Sequence, residues 1–126
     1  MRKIAAPSVN PENKPFFDAA ANGKFMVKFC TDCKGFHHYP RAICPHCFSD
    51  RTEWREAKGT GKVYTWSVLR RVPVPYCIAY VTLDEGVTVL TNLVDCDLDK
   101  VTIGMKVRAV FKLTEGATSV PMFTPA

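Results

Sequence analysis

The sequence lacks any apolar run long enough to span a membrane, and it contains neither internal repeats nor low-complexity segments. Residues 1–7 lack the apolar stretch of a secretory signal, so we expect a cytoplasmic protein. A disulfide framework is therefore disfavoured for its six cysteines. The 126 residues are 47% hydrophobic and 23% charged, which is typical of one globular domain or of two small ones sharing a metal.

The first fifty residues contain few aliphatic side chains and have little with which to form a core of their own. They do contain two Cys-x-x-Cys pairs, Cys30/Cys33 and Cys44/Cys47, separated by ten residues. Each pair forms a tight turn whose backbone N–H groups face the sulfurs, which favours thiolates and a tetrahedral Zn²⁺. Four sulfur ligands close the site, so we expect a structural zinc without a metal-bound water.

The charge is distributed unevenly along the chain. Residues 1–71 carry 13 basic and 6 acidic side chains, whereas residues 72–126 carry 4 and 6. A basic first half is typical of proteins that bind nucleic acid, a phosphorylated cofactor or an acidic protein. Because its basic residues are interspersed with acidic ones, an ordinary solvated surface is an equal alternative.

A short amphipathic helix is predicted near the start of the chain. Asn10 is a candidate N-cap followed by Pro11, and a later start at Lys14-Pro15 is the alternative. Asn22-Gly23 provides a stop signal. The apolar face of this helix consists of Phe16, Phe17, Ala20 and Ala21. That face either packs on the neighbouring domain or covers a ligand groove.

Strand signals fill most of the remaining chain. Residues 24–29 alternate in character and lead into the first cysteine pair. Further strands are predicted at 53–57, 62–70, 76–83, 87–94 and 106–113, with a hairpin turn at 84–86 and an apolar tail at 120–125 lying against them. In the longest strand, Val63, Thr65, Ser67 and Leu69 are expected to share one face. This pattern predicts a five-stranded OB-fold barrel, with an SH3-like barrel as the alternative.

Taken in order, these motifs resemble a family of acyl-CoA-associated proteins. That family couples an N-terminal helical segment, a rubredoxin-like zinc ribbon and a C-terminal OB-fold. The matching pieces are Pro15-Phe16-Phe17, Gly23-Lys24-Phe25, both cysteine pairs, Tyr39-Pro40-Arg41, Trp54, residues 59–66 and 83–86, Ile103-Gly104-Met105 and Pro121-Met122-Phe123. The resemblance implies a mainly β protein with a helical segment at 1–23, a zinc ribbon at 24–52 and an OB-fold barrel at 53–126.

The resemblance also implies a function. Similar proteins are accessory subunits that work beside a thiolase-like or lipid-transfer-protein-like enzyme and complete its active-site cleft for acyl-CoA thioesters. We therefore expect a non-catalytic subunit of a hetero-oligomer, with degradative thiolysis as the favoured reaction of the partner. A side-chain-cleaving acyl-CoA aldolase is the alternative partner.

A CoA ligand would need cations for its phosphates and an aromatic surface for its adenine. The candidate CoA contacts are Phe16, Phe17, Lys24, Arg41, Trp66, Arg70 and Arg71. For each of them, core packing or simple solvent exposure is the alternative role.

Thiolase chemistry requires a nucleophilic cysteine, a histidine base and an oxyanion hole. Only Cys77 and Cys96 lie outside the two cysteine pairs. Cys77 is expected in the core, and Cys96 lies between Asp95 and Asp97, whose charges raise the pKa of its thiol. We therefore predict that this chain is not catalytic by itself.

Two other functions are compatible with the same segments. OB barrels and zinc ribbons also occur in proteins that bind single-stranded nucleic acid, although no strand here alternates aromatic with basic residues densely. The remaining alternative is a zinc scaffold that bridges subunits without touching their ligand.

Overall fold

A computed structural model describes residues 4–116 and 118–126. The elements in chain order are α1 (Lys14–Ala21), β1 (Met26–Cys30), β2 (Phe36–His37), β3 (Thr52–Glu56), β4 (Thr60–Leu69), β5 (Tyr76–Leu83), β6 (Thr88–Leu93), a 3₁₀ helix (Leu98–Lys100), β7 (Lys106–Leu113) and β8 (Ser119–Pro125). The mainly β architecture predicted from the sequence is confirmed: an N-terminal helix, a small zinc-ribbon sheet and a closed five-stranded barrel.

The helix begins at the later of the two predicted starts, because Asn10 and Asn13 cap a turn before it. Each asparagine backbone N–H donates to the side-chain oxygen of the other, at 2.8 and 2.9 Å. Ala21, which was predicted on the apolar face, is exposed, and the buried face is Phe16, Phe17 and Ala20. Gly23 ends the helix with φ +76°, a conformation that glycine adopts without steric cost.

The ribbon sheet has the order β2-β1-β3, with both neighbours antiparallel to β1. The strand predicted at 53–57 is therefore β3, and it pairs with β1 instead of entering the barrel. The Asn13 amide donates to the Tyr39 hydroxyl at 2.9 Å, and the Ala42 N–H donates to Glu12 Oε2 at 2.7 Å. These two bonds fasten the segment before the helix to the ribbon.

The barrel closes in the order β4-β5-β6-β8-β7. Its fifth strand is the apolar tail, which forms seven residue pairs with β7 and meets β6 in parallel at Leu93 and Phe123. The predicted hairpin turn is confirmed, since the Gly86 N–H donates to the Leu83 carbonyl at 2.8 Å. From the sequence, we divided the chain after residues 23 and 52. The second of these boundaries falls inside β3, which belongs to the ribbon sheet. The division itself stays a proposal.

A bulge in β4 changes which of its residues face the core. Val63 pairs with Val81, but Thr65 pairs with Tyr80, so Tyr64 is the extra residue. Beyond the bulge, Val68 packs against the core while Thr65 and Ser67 are exposed. The prediction that Val63, Thr65, Ser67 and Leu69 share one face was therefore wrong, because one added residue reverses the alternation.

One hydrophobic core serves both the ribbon and the barrel. Phe25 on the ribbon side and Phe123 in the barrel are 3% and 0% exposed, and their ring centroids are 5.9 Å apart. Phe16 stacks edge-on to Phe25 at 5.7 Å, which brings the helix into the same cluster. No helix of the described residues is long and apolar enough to cross a membrane.

Candidate metal centre and ligand-binding surfaces

The two cysteine pairs converge on one point at the end of the ribbon sheet. The Sγ atoms of Cys30, Cys33, Cys44 and Cys47 all lie within 4.8 Å of one another. Two of these separations are 3.5 Å, from Cys30 to Cys47, and 3.7 Å, from Cys33 to Cys44. A tetrahedron with metal–sulfur bonds of about 2.3 Å has edges of about 3.8 Å, so the cluster has the dimensions of a zinc site.

The cysteine cluster needs a cation to hold four thiolates at these distances. The backbone N–H of Cys33 lowers the pKa of the Cys30 thiol to about 7, whereas desolvation raises the pKa of the Cys33 thiol to about 12. The His46 N–H also donates to Cys44 Sγ, at 3.4 Å. The donor set and its N–H groups therefore fit Zn²⁺, whose charge would offset the repulsion among the sulfurs.

The histidines of the chain lie outside this cluster. His37 Nε2 is 3.3 Å from the Arg41 carbonyl oxygen, and His46 is exposed within the second cysteine turn. His38 packs against the rings of Phe16 and Phe25, with centroids 5.3 and 5.9 Å away. Burial lowers the pKa of His38 to about 4, so its side chain is neutral at pH 7.

The two phenylalanines proposed as CoA contacts are in the core. Phe16 and Phe17 are 3% and 6% exposed and meet edge-on at 5.1 Å. Core packing was the alternative role considered for both side chains, and the structure places them in that role. No ligand reaches either ring unless the helix moves.

The proposed cationic and Trp66 contacts are spread over the surface. Lys24 lines a cleft at the Thr60 end of β4, whereas Arg70 follows the other end of that strand, about 30 Å away. Arg70 forms an ion pair with Asp99 at 2.6 Å, and Arg71 is exposed beside it. Arg41 is exposed in the ribbon, so the structure does not bring these residues together at one compact site.

An apolar cavity of about 230 Å³ lies at the mouth of the barrel, beside the proline-rich loop formed by residues 70–75 between β4 and β5. Its apolar lining residues include Val74, Pro75, Leu93, Leu98 and Met122. The cavity offers an acyl or pantetheine chain a largely apolar environment, and its lining also includes Asn92, Asp95 and Cys96. Sequence reasoning missed it because its walls come from four separate segments.

A row of large apolar side chains faces solvent on the outer surface of β5 and β6. Ile78, Tyr80 and Leu90 are 38%, 46% and 61% exposed, and Tyr80 lies directly opposite Leu90. On β4, the bulged Tyr64 is 66% exposed, and Thr65 lies opposite Tyr80 on the same outer face. Trp66 is 37% exposed but lies opposite the buried Ala79, so it belongs to the other face of the strand. We call Ile78, Tyr80 and Leu90 the apolar face. Exposed apolar patches of this kind mark contact sites for other molecules.

The two cysteines outside the metal cluster lack the environment of a nucleophile. Cys77 is fully buried on β5, and burial raises the pKa of its thiol. Desolvation, followed by the charges of Asp95 and Asp97, raises the pKa of Cys96. Both are therefore protonated at neutral pH, whereas a catalytic cysteine needs a depressed pKa.

Sequence reasoning also missed several cations near Lys24. Lys58 and Arg108 line the same cleft, which lies between the ribbon and the barrel and has a volume of about 320 Å³. Arg108 reaches it because β7 pairs with the start of β4, placing Arg108 opposite Thr60. That pairing joins residues 48 positions apart and leaves no local signal in the sequence.

Two family models match the chain. Residues 17–53 match the rubredoxin-like zinc ribbon domain of ChsH2, and residues 54–112 match the C-terminal OB-fold domain of ChsH2. Among solved structures, the chain is similar to one described as an Ltp2-ChsH2(DUF35) aldolase. The TM-score is 0.84 and the identity 36%, over 95% of this chain and 98% of the other.

Curated relatives give a consistent result. A probable enoyl-CoA hydratase alpha subunit of Thermomonospora curvata is 37% identical over 125 residues, which is 95% of this chain and 39% of the relative. A DUF35 domain-containing scaffold protein of Methanocaldococcus jannaschii is 42% identical over 91 residues, covering 66% of this chain and 64% of the relative. The chain therefore spans less than two thirds of the length of these two relatives.

Proposed function

The chain belongs to the DUF35 family, in the ChsH2 group that joins a rubredoxin-like zinc ribbon to an OB-fold. On that premise, we propose that it is a non-catalytic, cytoplasmic accessory subunit. Its partner is a lipid-transfer-protein-like or thiolase-like enzyme that acts on acyl-CoA thioesters. The accessory chain contributes part of the binding cleft for that substrate.

The observation that carries this proposal is the match to the chain in the Ltp2-ChsH2(DUF35) aldolase. At 36% identity over 98% of that chain, the similarity includes the helix, the ribbon and the barrel together. The M. jannaschii relative is described as a scaffold protein, which also favours assembly over catalysis. The T. curvata relative is described as a subunit of an enzyme of CoA thioesters, which favours that substrate class.

The proposed zinc is structural. Cys30, Cys33, Cys44 and Cys47 would occupy all four positions of a tetrahedral ion, so substrate has no place on the metal. Zinc would hold together the end of the ribbon that carries the four cysteines. Of these, Cys30 and Cys44 are buried, whereas Cys33 and Cys47 are exposed. Its role is therefore to keep the ribbon folded against the barrel.

The apolar face is the proposed contact with the partner enzyme. OB-folds that bind single strands use the surface of their second and third strands, which here are β5 and β6. That surface carries Ile78, Tyr80 and Leu90 and no lysine or arginine among the described residues of the two strands. It therefore suits an apolar protein surface better than a phosphate backbone.

The similarity to the Ltp2-ChsH2(DUF35) aldolase favours carbon–carbon cleavage by a retro-aldol reaction of the partner. Thiolysis, which was the favoured reaction from the sequence, becomes the second candidate. A retro-aldol step splits a β-hydroxyacyl-CoA into a carbonyl compound and a shorter acyl-CoA, and it consumes no second thiol. Thiolysis splits a β-ketoacyl-CoA with free CoA and yields two acyl-CoA molecules. The requirement for free CoA therefore distinguishes the two reactions.

The first experiment is affinity purification of the tagged full-length chain from its native cells at moderate salt. We expect a stoichiometric thiolase-like or lipid-transfer-protein-like enzyme, identified by mass spectrometry. The purified complex is then supplied with β-hydroxyacyl-CoA or with β-ketoacyl-CoA plus free CoA. Recovery of nucleic acid or a polymerase component in place of such an enzyme would overturn the proposal.

A pair of variants tests the docking surface. Leu90→Glu should reduce recovery of the partner at least tenfold, because it places a charge in the apolar face. Leu113→Glu is the matched control, since Leu113 is 67% exposed on β7, which pairs with neither β5 nor β6, and should leave recovery unchanged. Equal recovery with both variants would place the contact elsewhere on the chain.

Activity of the intact complex separates a cleft-lining role from pure scaffolding. Trp66→Ala or Arg70→Ala lowers turnover of acyl-CoA if these side chains line the shared cleft. Pure scaffolding predicts unchanged turnover in a complex of normal stoichiometry.

A further inference from the structure

The seam between β4 and β7 carries five cations around two neighbouring cavities. One cavity, of about 320 Å³, is lined by Lys24, Lys58 and Arg108. The other, of about 270 Å³, is lined by Lys62 and Lys106. Both cavities share Thr60 in their walls, so they lie side by side. We call the five cations the basic seam, and we propose that it binds a ligand carrying two separate phosphate groups.

Strand pairing places like charges directly opposite each other in the basic seam. Lys62 pairs with Lys106 across β4 and β7, and Thr60 pairs with Arg108 in the same register. Opposite residues in an antiparallel pair have Cβ atoms about 4.5–5.5 Å apart, and like charges there destabilise the sheet. All three cations are exposed and lie on one face of the seam. A bound anion would convert this repulsion into attraction.

Ion pairing distinguishes the basic seam from some of the other cations that the structure describes, although Lys100 and Arg71 are also without an ion pair. Five lysines and arginines elsewhere form ion pairs, including Lys112 with Asp95 and Arg51 with Asp32. Over residues 4–116 and 118–126, none of the five cations of the seam forms one. Two acidic side chains, Glu56 and Asp84, and the terminal residue Ala126 also line the cavities, and Asp84 accepts a hydrogen bond from the Thr60 hydroxyl. The cations of the seam therefore outnumber the acidic side chains that line the two cavities, by five to two.

Hydrogen bonds from backbone N–H groups hold the walls of the cavity that Lys24, Lys58 and Arg108 line. The Ala109 N–H donates to the Gly59 carbonyl at 2.6 Å, and the Ala57 N–H donates to the Phe25 carbonyl at 2.8 Å. The Lys58 N–H donates to Glu85 Oε2 at 3.0 Å. Gly59 has φ +77°, and an added Cβ would meet Ala109 Cβ at 3.4 Å, so this turn suits glycine. The cations thus project from a fixed backbone.

The spacing of the cations favours a nucleotide with phosphates on both sides of one ribose. Arg108 and Lys106 are two residues apart on β7, or about 7 Å along the strand. Arginine binds phosphate through two parallel N–H groups, and lysine acts as a mobile point charge. The identity of this ligand rests on the proposed function. We take it to be the nucleotide end of a CoA thioester, which carries a 3′-phosphate and a 5′-diphosphate.

The test is a calorimetric titration of the zinc-loaded full chain, without partner, at low and at moderate salt. The probes are adenosine 3′,5′-bisphosphate, adenosine 5′-monophosphate, inorganic pyrophosphate and a single-stranded oligonucleotide. We expect the bisphosphate to bind about tenfold more tightly than the monophosphate. Its affinity should fall as salt rises, because the attraction is between charges.

Variants assign the binding to the basic seam. Arg108→Gln and Lys106→Gln should each lower the affinity for the bisphosphate about tenfold, and Arg108→Lys should lower it less because the charge is kept. Lys100→Gln removes the same charge from an exposed lysine outside the seam and should change the affinity less than twofold. Backbone amide spectra of each variant confirm that the fold is retained.

Three results would overturn the inference: no detectable binding of the bisphosphate, equal losses in the seam variants and in Lys100→Gln, or tighter binding of the oligonucleotide than of the bisphosphate. Pyrophosphate binding as tight as that of the bisphosphate would reject the nucleotide and assign the seam to a free diphosphate. Because the titration contains no partner, its failure is distinguishable from a failure of the purification experiment.

Discussion

The ribbon and the barrel reach their folds by different means, although they share one core. The barrel has strands of up to ten residues and a continuous set of buried side chains, among them Val63, Val81, Leu83, Val107 and Phe123. The ribbon has strands of two and five residues, and its far end contains the cysteine cluster in place of an apolar core. The barrel is thus stabilised by hydrophobic burial, whereas the end of the ribbon depends on a metal.

This difference shows where the chain is expected to be fragile. Removing a metal acts on the ribbon alone, removing an aromatic side chain at the shared core acts on both parts, and acidification acts on the layer between the helix and the ribbon. The predictions below separate these cases, from the largest expected effect to the smallest.

Loss of the metal should unfold the ribbon and leave the barrel folded. Cys47→Ser should release about one zinc per chain, because structural zinc binding supplies roughly 10–16 kcal/mol of apparent free energy to small ribbons. Elemental analysis gives the metal content, and amide hydrogen exchange shows which strands lose protection. We expect loss of protection in β1–β3 and retention in β5 and β6.

Cys96→Ser is the control for that variant, since Cys96 lies outside the cluster and its replacement should keep one metal per chain. A wild-type chain that is metal-free and has a fully protected ribbon would contradict the proposed dependence on zinc.

Truncation of the shared core should destabilise ribbon and barrel together. Phe123→Ala removes a fully buried ring that touches Phe25, and we expect a loss of about 3–5 kcal/mol in the free energy of unfolding. Chemical denaturation of the zinc-loaded protein measures this loss. Leu113→Ala, at a side chain that is 67% exposed on β7, should change the stability by less than about 0.5 kcal/mol. Separate transitions for ribbon and barrel in the Phe123 variant would mean that the core does not couple them.

Acid should weaken the layer between the helix and the ribbon through His38. Burial, and then the nearby His37, lowers the pKa of His38 to about 4 from the ordinary value of 6.5. The unfolded chain therefore binds more protons between these values. The stability from neutral His38 is complete above pH 6.5 and is lost as the pH falls towards 4, at up to about 1.4 kcal/mol per pH unit. The rings of Phe16, Phe25 and Tyr39 contact the His38 ring. None of these three residues has a carboxylate that could stabilise protonated His38.

Denaturation of zinc-saturated protein at several pH values between 7 and 5 tests this prediction. His38→Phe should have a shallower pH dependence than wild type, while His46→Gln, at an exposed histidine, should keep the wild-type slope. The same slope in all three proteins would show that His38 is not responsible.

The smallest effect is expected for the exposed ion pair of the barrel. Arg70 and Asp99 are 58% and 74% exposed, so Arg70→Ala should cost at most about 1 kcal/mol, and less at high salt. A double-mutant cycle with Asp99→Ala isolates the pair energy. A coupling well above that value would indicate that the proline-rich loop depends on this contact.

Several features were predictable because they depend on residues close together in the chain. The cysteine spacing predicted the cluster, and the alternation in 76–83 with the turn at 84–86 predicted the β5–β6 hairpin. For the start of the helix, the sequence left two possible residues. The choice depends on the hydrogen bonds that Asn10 and Asn13 donate to each other, which form only once the turn before the helix is folded.

The candidate ligand contacts were less predictable. Residue type alone suggested Phe16, Trp66 and Arg70 as CoA contacts. In the structure Phe16 is buried in the core, Trp66 lies within β4, and Arg70 follows the end of that strand. The faces of the β4 side chains depend on the bulge at Tyr64, because one extra residue there reverses the face of every side chain that follows, including Trp66.

The amino-acid sequence by itself determined the mainly β composition, the four-cysteine cluster and the likeness to one family, because local spacing and residue order carry that information. Tertiary structure alone decided that residues 119–125 complete the barrel, that β3 belongs to the ribbon, and that Lys62 lies opposite Lys106. These are pairings between distant segments. Their register is set by closing the barrel over a single core, which no short stretch of the chain specifies.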